Sequence, residues 1–382
     1  MRLVLATDKL VVQGRSFAGF PLLVSAGRAV EPAQTFLWGH LTRSGRRRSP
    51  LTWEKYGRCL FDFFAFCEAN QADWRAEPPV GLPSAIQWYR DWARGEVGNS
   101  VRTVNGRLRL LVKFYEWAKA IGHIERLPFD YEEIQSPRPP GLLAHVDASN
   151  GKVHSADVLL RESRTLPQLL LKEEVHVCLS SLANPTHRLM FELMVRTGLR
   201  QVECRTFPSK YVFDPKRRKG LVEGSLIRLS LEPSDMKLKF DKPRQIDVPY
   251  ALMEDLWWYS IRRRPKRARQ TDASSPVLFL TEGGETYAPA SMTDIFVSLQ
   301  SRVGFRVRPH MLRHTYATYT LLSLRKSDYE GDPLLYVRDR LGHANVTSTA
   351  IYLHLIDRLG SKLIMKHDAE LNELFALPGS AR

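Results

Sequence analysis

The 382-residue chain reads as a mainly α-helical protein of two domains, with a small antiparallel β-sheet in the second. Three observations carry that prediction. Long segments repeat apolar residues at intervals near 3.6. A stretch rich in proline, glycine and polar residues, "SPRPPGLLAHVDASNGKVHSAD" at 136–157, breaks the periodicity. Beyond it, two short alternating runs, "SLIRLSL" and "RQIDVPY", interrupt the helices as strands would.

Taken in order, residues 1–50 are mixed in pattern, with short β-like runs such as "KLVVQG" and "FPLLVSA", and read as an N-terminal extension, an added arm. Residues 51–133 are helical. Tyr56, Leu60, Phe63, Phe64 and Cys67 share one helix face, as do Leu108, Leu111, Val112 and Tyr115. Ser100 is placed to cap the second of these helices and Gly122 to end it. Residues 134–165 read as a linker. A second domain over 166–365 opens on helices ("LPQLLLKEEVHVCLSSL", "HRLMFELMVRTGLR"), passes through the two alternating runs and returns to helices from about Met292, leaving 366–382 as a tail.

Composition narrows the class. With 43% apolar and 25% charged residues the chain is globular, and no apolar run approaches the roughly 18 residues of a membrane span. The start, "MRLVLATDKLVVQG", reaches Asp8 and Lys9 too soon for a secretory signal. A cytoplasmic, nucleoid-associated protein is expected, with no membrane partner. Cys59, Cys67, Cys178 and Cys204 have no CxxC spacing and read as reduced core residues. Lysine and arginine exceed aspartate and glutamate by 15, which makes nucleic acid the first partner to consider. Basic clusters at 43–50, 214–220 and 261–270 favour an extended basic surface over isolated solvated loops.

"RPHMLRHTYAT" at 308–318 places His310, Arg313 and His314 on one side of a helix. A metal is a poor fit. The zinc-protease pattern needs a glutamate after the first histidine, and here the intervening residues are Met311, Leu312 and Arg313, with a guanidinium that repels cations. An anion fits better, because arginine offers a planar fork of donors matched to phosphate oxygens. The competing reading is a packed or capping cluster.

Two further stretches join this one. Upstream lies "TGLRQVE" at 197–203, and downstream "LGHANVTSTAIYLH" at 341–354, where His343 precedes Tyr352 by nine residues. In this order the three stretches resemble the signature boxes of the tyrosine recombinase (phage integrase) family, and the resemblance extends over roughly 50–365, since the preceding helical domain is similar to that family's core-binding domain. It implies a two-domain DNA clamp, in which a helical core-binding domain and a mixed α/β catalytic domain grip opposite faces of the duplex.

The resemblance assigns roles. Arg200 and Arg313 bind the non-bridging oxygens of one DNA phosphate, and Tyr352 is the nucleophile that forms a 3′-phosphotyrosyl intermediate. His310 is the natural group for the tyrosine's proton transfer, and His343 donates to the phosphate. The family's hairpin lysine, which protonates the leaving 5′ oxygen, maps to Lys239 in "DMKLKFDKPRQIDVPYAL"; two extra residues before Val248-Pro249 leave Lys242 and Lys237 open. Glu203 buttresses Arg200, while His314 and His354 read as structural. The interval from Arg313 to His343 is longer than is common and lengthens a loop.

The implied chemistry conserves bond energy in the phosphotyrosine, so neither metal nor nucleotide cofactor is expected, in keeping with a sequence that lacks phosphate-loop and dinucleotide motifs. Expected partners are double-stranded DNA, three further copies forming a tetramer around a Holliday junction, and an accessory recombinase or DNA-bending protein. Arg102, Asn105, Arg107 and Arg109 are candidate groove or phosphate contacts, weighed against a solvated polar face. The apolar residues Leu355, Ile356, Leu359, Leu363 and Ile364, with "LNELFALP" beyond, are placed to dock on a neighbouring subunit. A type IB topoisomerase shares the chemistry without site preference, and a non-catalytic DNA-binding accessory protein is the third reading.

Overall fold

The computed structural model describes residues 1–42, 50–79, 81–135, 152–163, 166–271, 274–357 and 359–360. The chain divides into two compact units, Met1–Arg164 and Thr165–Arg382.

The first unit begins with strands β1 (Arg2–Leu5), β2 (Val11–Val12), β3 (Arg15–Ser16), β4 (Pro21–Ser25) and β5 (Arg28–Ala29). β1, β4 and β5 form an antiparallel sheet and β2 pairs with β3. Helices α1 (Glu31–Thr42), α2 (Pro50–Ala69), α3 (Ala85–Gly95) and α4 (Val101–Ala120) follow. The predicted face of α2 is buried through Leu60, Phe63, Phe64 and Cys67, and that of α4 through Leu108, Leu111, Val112 and Tyr115. Ser100 caps α4 by accepting the Thr103 N–H, and Gly122, at φ +78°, follows its last turn.

Two expectations give way here. Residues 1–42 are no separate arm: Phe17, Phe20, Leu23, Phe36 and Leu37 are buried in the same core as the faces of α2 and α4. Nor is the expected linker unstructured where it is described, since β6 (Tyr131–Gln135) and β7 (Lys152–Ala156) pair antiparallel and Val158 is buried in that core. The part between the strands, with its proline and glycine run, lies outside the described residues.

In the second unit α5 (Lys172–Ser181), α6 (Pro185–Thr197) and α7 (Gln201–Arg205) lead to the hairpin β8 (Leu226–Leu231) and β9 (Arg244–Pro249), paired from Leu226↔Pro249 to Leu231↔Arg244. Helices α8 (Tyr250–Arg262), α9 (Arg264–Ala268), α10 (Pro289–Val303), α11 (Pro309–Lys326) and α12 (Pro333–Leu341) follow, then α13 over 347–357. The hairpin buries Ile227, Leu231, Ile246 and Val248 against α6 and α8. A smaller core of Tyr316, Ala317, Leu321, Val337, Leu341, Tyr352 and Leu355 holds α11, α12 and α13 together. Among the described residues no helix is long and apolar enough to cross a membrane.

Candidate active site

The site forms where three chain breaks meet α11. Gly198 ends α6 in the left-handed conformation, at φ +69°, where a Cβ would stand 2.5 Å from the Tyr316 ring. Only glycine fits both constraints. Its carbonyl accepts a 2.8 Å hydrogen bond from Arg313 Nη1, while Arg313 Nη2 donates to the carbonyl of Leu341. Arg313 is thus a buried strut, 1% exposed, that joins the ends of α6 and α12. Burial first, then the charge of Arg200, brings its pKa down to about 9, so it stays protonated at neutral pH.

Arg200 lies at the N-terminus of α7, where Glu203 accepts both its backbone N–H (2.7 Å) and its Nη1 (2.8 Å). Sequence reasoning missed the second partner of that carboxylate. Arg244, the first residue of β9, donates Nη1 and Nη2 to Glu203 at 2.7 and 2.6 Å and its Nε to the Arg340 carbonyl at 3.1 Å. Its passage is open only because Gly342, at φ +63°, has no Cβ; one would stand 2.7 Å from Arg244 Cδ. The carboxylate is fully buried, which alone would raise its pKa, yet the hydrogen bonds and charge of Arg244, with the Arg200 charge, bring it to about 2. Glu203 therefore fastens Arg200 as expected, and it fastens the hairpin as well. A neighbouring cluster does the same for α12: Asp247 on β9 accepts from Arg340, from Tyr336 (2.6 Å) and from Arg228 (3.1 Å).

Lys239 stands in the β8–β9 connection, on a turn that places Phe240 and Asp241 at positive φ. Its charge reaches the site. Burial chiefly, then Arg313, Arg200 and Lys239, push the pKa of His310 down and that of His343 to about 4.

Tyr352 on α13 is 1% exposed. Burial raises its pKa, with Arg313 and Arg200 pulling the other way. The His343 ring lies parallel to its ring at 6.3 Å, and His343 Nδ1 shares a 3.0 Å hydrogen bond with the buried hydroxyl of Thr349, one turn before Tyr352. The phenol is bound by His314, whose Nδ1 lies 3.1 Å from Oη. His310, expected to serve the tyrosine's proton, packs its ring on His314 at 4.4 Å. The structure therefore brings together Arg200, Lys239, His310, Arg313, His343 and Tyr352, and adds His314, Arg244 and Thr349.

A family model described as the phage integrase family matches residues 169–358, the segment that carries this site. The chain belongs to the tyrosine recombinase family. This recombinase is 23% identical over 367 residues to transposase A from transposon Tn554 of Staphylococcus aureus, across 92% of the chain and 94% of that protein. It is 25% identical to the tyrosine recombinase XerC of Bacillus subtilis (strain 168), over 71% and 76% of the two chains. In fold it is similar to the XerH recombinase in a post-cleavage complex with palindromic difH substrate (TM-score 0.53, 20% identity, covering 82% and 80%). The Tn1549 transposon integrase with circular intermediate DNA is likewise similar (TM-score 0.55, 17% identity, covering 84% and 94%).

The four candidate DNA contacts in the first unit fare differently. Asn105 is buried, and its amide accepts from Leu160 N–H and donates to the Leu160 carbonyl and to Glu162. It is a structural clamp and unavailable to DNA. Arg107 pairs with Asp62 at 2.5 Å and touches the Tyr89 hydroxyl, and Arg109 pairs with Glu162 at 2.7 Å. Arg102 stays exposed in a groove of about 650 Å³ shared with Lys55, Arg58 and Lys113. In the second unit Leu355 and Ile356 pack into their own small core rather than standing free for a neighbour, and Leu359 is also buried. Leu363, Ile364 and the tail lie outside the described residues, as does the basic run at 43–49.

Proposed function

We propose that this recombinase cuts and rejoins duplex DNA at Tyr352, with Arg200 and Arg313 holding one phosphodiester. The observation that carries the reading is the convergence, on one buried phenol, of two arginines whose guanidiniums are fixed by Glu203 and by two backbone carbonyls. Fixed donors cost no reorganisation when the pentacoordinate transition state adds negative charge, and each is worth on the order of 10²–10³ in rate. His343, its Nδ1 tied to Thr349, presents its other nitrogen to a phosphate oxygen. Lys239, in the β8–β9 connection and close enough for its charge to act on His310 and His343, is the group to protonate the leaving 5′ oxygen. Exposed cations in the Arg102 groove supply affinity for the DNA backbone.

On this reading four copies assemble on two DNA sites and exchange strands through a Holliday junction. The similarity to a transposase over nearly the whole chain supports a role in moving a mobile element. Covalent trapping tests the reading. The protein and a Tyr352→Phe control are incubated with nicked duplexes of random sequence, denatured, and the attached DNA is sequenced. Adducts that require Tyr352 and share a sequence support site-specific recombination; adducts without a shared sequence indicate a topoisomerase; binding without adducts from either protein refutes catalysis.

A further inference from the structure

We infer that His314, the second histidine of the H-x-x-R-H box, is the catalytic base that takes the Tyr352 proton. The inference rests on the reading of Tyr352 as nucleophile. Nδ1 of His314 lies 3.1 Å from Tyr352 Oη, and it is the hydrogen-bond partner of that hydroxyl among the described residues. With Tyr352 1% exposed, water is excluded as the proton's destination before DNA arrives. The other two histidines are turned to different tasks. His343 faces the tyrosine ring-on-ring and gives Nδ1 to Thr349. His310 stacks its edge on His314.

Placement on α11 makes the assignment mechanically sensible. His314 directly follows Arg313, so the base and the phosphate-binding guanidinium ride on one helix, itself anchored at Gly198 and Leu341. Their relative position is therefore set by a single rigid element. Burial, with His310, Arg313 and His343 around it, keeps His314 neutral, and with the ring proton on Nε2 its Nδ1 accepts the Tyr352 hydroxyl proton across the 3.1 Å contact. The arriving phosphodiester offsets those surrounding charges as the proton is received.

The step balances. The Oη–H bond breaks and its proton passes to Nδ1, giving an imidazolium; the Oη–P bond forms as P–O5′ breaks, and O5′ receives a proton from Lys239. In rejoining, a 5′ hydroxyl attacks phosphorus, Lys239 recovers its proton, and Tyr352 leaves with the proton held on His314.

The test uses the full chain and the random nicked pool, following initial adduct formation from pH 5.5 to 9.5. His314→Asn keeps an acceptor beside Oη but cannot take a proton. It is expected to form adduct about 10²–10⁴-fold more slowly than wild type while binding the pool as tightly. Its rate should climb close to tenfold per pH unit, because hydroxide must now ionise the phenol, whereas the wild-type rate is nearly flat above pH 6. His314→Ala should regain part of the rate when imidazole is added, which separates a missing base from a misfolded site. The assignment is overturned if His314→Asn keeps a wild-type rate, if its pH profile parallels wild type, if imidazole leaves His314→Ala unchanged, or if His310→Asn alone acquires the steep profile. Absence of any Tyr352-dependent adduct from wild type overturns both this inference and the reading beneath it; a wild-type adduct with an indifferent His314 overturns this inference alone.

Discussion

Replacing Glu203 by glutamine should remove about 3 kcal/mol of stability from the second unit. The magnitude follows from the carboxylate's own titration: in the fold its pKa is about 2, against an ordinary 4.5. Each tenfold change in proton affinity is about 1.4 kcal/mol, so the folded environment favours the anion by roughly 3 kcal/mol. An independent route gives a similar value, because removing one partner of a buried ion pair costs about 3–5 kcal/mol by stranding the other charge. The stranded group here is Arg244, whose side chain is 5% exposed. Since the folded pKa is depressed, the contribution is complete above pH 4.5 and fades as pH falls toward 2. Urea unfolding followed through hydrogen exchange in β8 and β9 should show the full gap between wild type and Glu203→Gln at pH 7 and a narrowing gap below pH 4.5. A double variant, Glu203→Gln with Arg244→Met, should lose less than the sum of the singles, because the more deeply buried of the two stranded guanidiniums, that of Arg244, is gone and only the part-exposed Arg200 is left without the carboxylate. A gap below 1 kcal/mol at pH 7, or one that stays constant down to pH 2.5, would refute the argument.

Other outcomes follow from the same geometry. Arg313→Lys should slow adduct formation by about 10²–10³-fold and also lower stability, since one ammonium cannot reach both carbonyls that Arg313 joins; single-turnover trapping and thermal unfolding read the two losses separately. His343 and His314 have folded pKa values of about 4 and about 3 against 6.5, so both favour the fold at neutral pH, and stability should decline as pH falls below 6.5, a trend that His314→Asn reduces. Asn105→Ala should cost the first unit about 2 kcal/mol in chemical denaturation and leave the DNA affinity of the folded protein unchanged, because the amide serves the Leu160 backbone. Arg102→Ala, by contrast, should leave stability unchanged, weaken DNA binding across all sequences and reduce the salt slope by about one counterion in a titration.

The legible part of the fold was the part governed by periodicity and by glycine. Apolar spacing located α2 and α4, the second domain's helical segments contained α5, α6 and α11, and the alternating runs contained β8 and β9. What escaped was structure made by long-range pairing. β6 and β7 sit either side of a proline and glycine run, which local pattern reads as a linker, and their pairing is a contact across the intervening chain. Residues 1–42 looked like an appendage because strands of two to five residues carry little periodic signal, although Phe17, Phe20 and Phe36 commit them to the core. In the site, the resemblance of three stretches to the family's signature boxes picked out Arg200, His310, Arg313, His343 and Tyr352. Arg244 was readable as the arginine that follows Lys239 and Lys242 in the hairpin, but its role depends on where β9 crosses Glu203, which no local pattern encodes. Asn105 erred in the other direction: an asparagine among arginines on a helix looks like a groove reader until the chain returns at Leu160 to occupy it.

The arrangement also explains why the segments that carry the chemistry come from such distant parts of the chain. Each basic group that is to meet phosphate must be held without being neutralised, and the fold does this with two kinds of anchor. Arg313 is held by neutral carbonyls, which orient its guanidinium and leave its charge whole. Arg200 shares its carboxylate with Arg244, so that one buried anion is divided between two guanidiniums and cancels neither. Burial first, and the surplus positive charge after it, depresses the histidines, and the same charge opposes the burial that raises the tyrosine's pKa. On the proposed reading, a phosphodiester entering among these groups relieves their mutual repulsion, and by mass action anything that binds only the folded form raises its stability. On that reading the repulsion among these cations becomes binding energy for phosphate, and the transition state, with one further negative charge, recovers more of it than the ground state does.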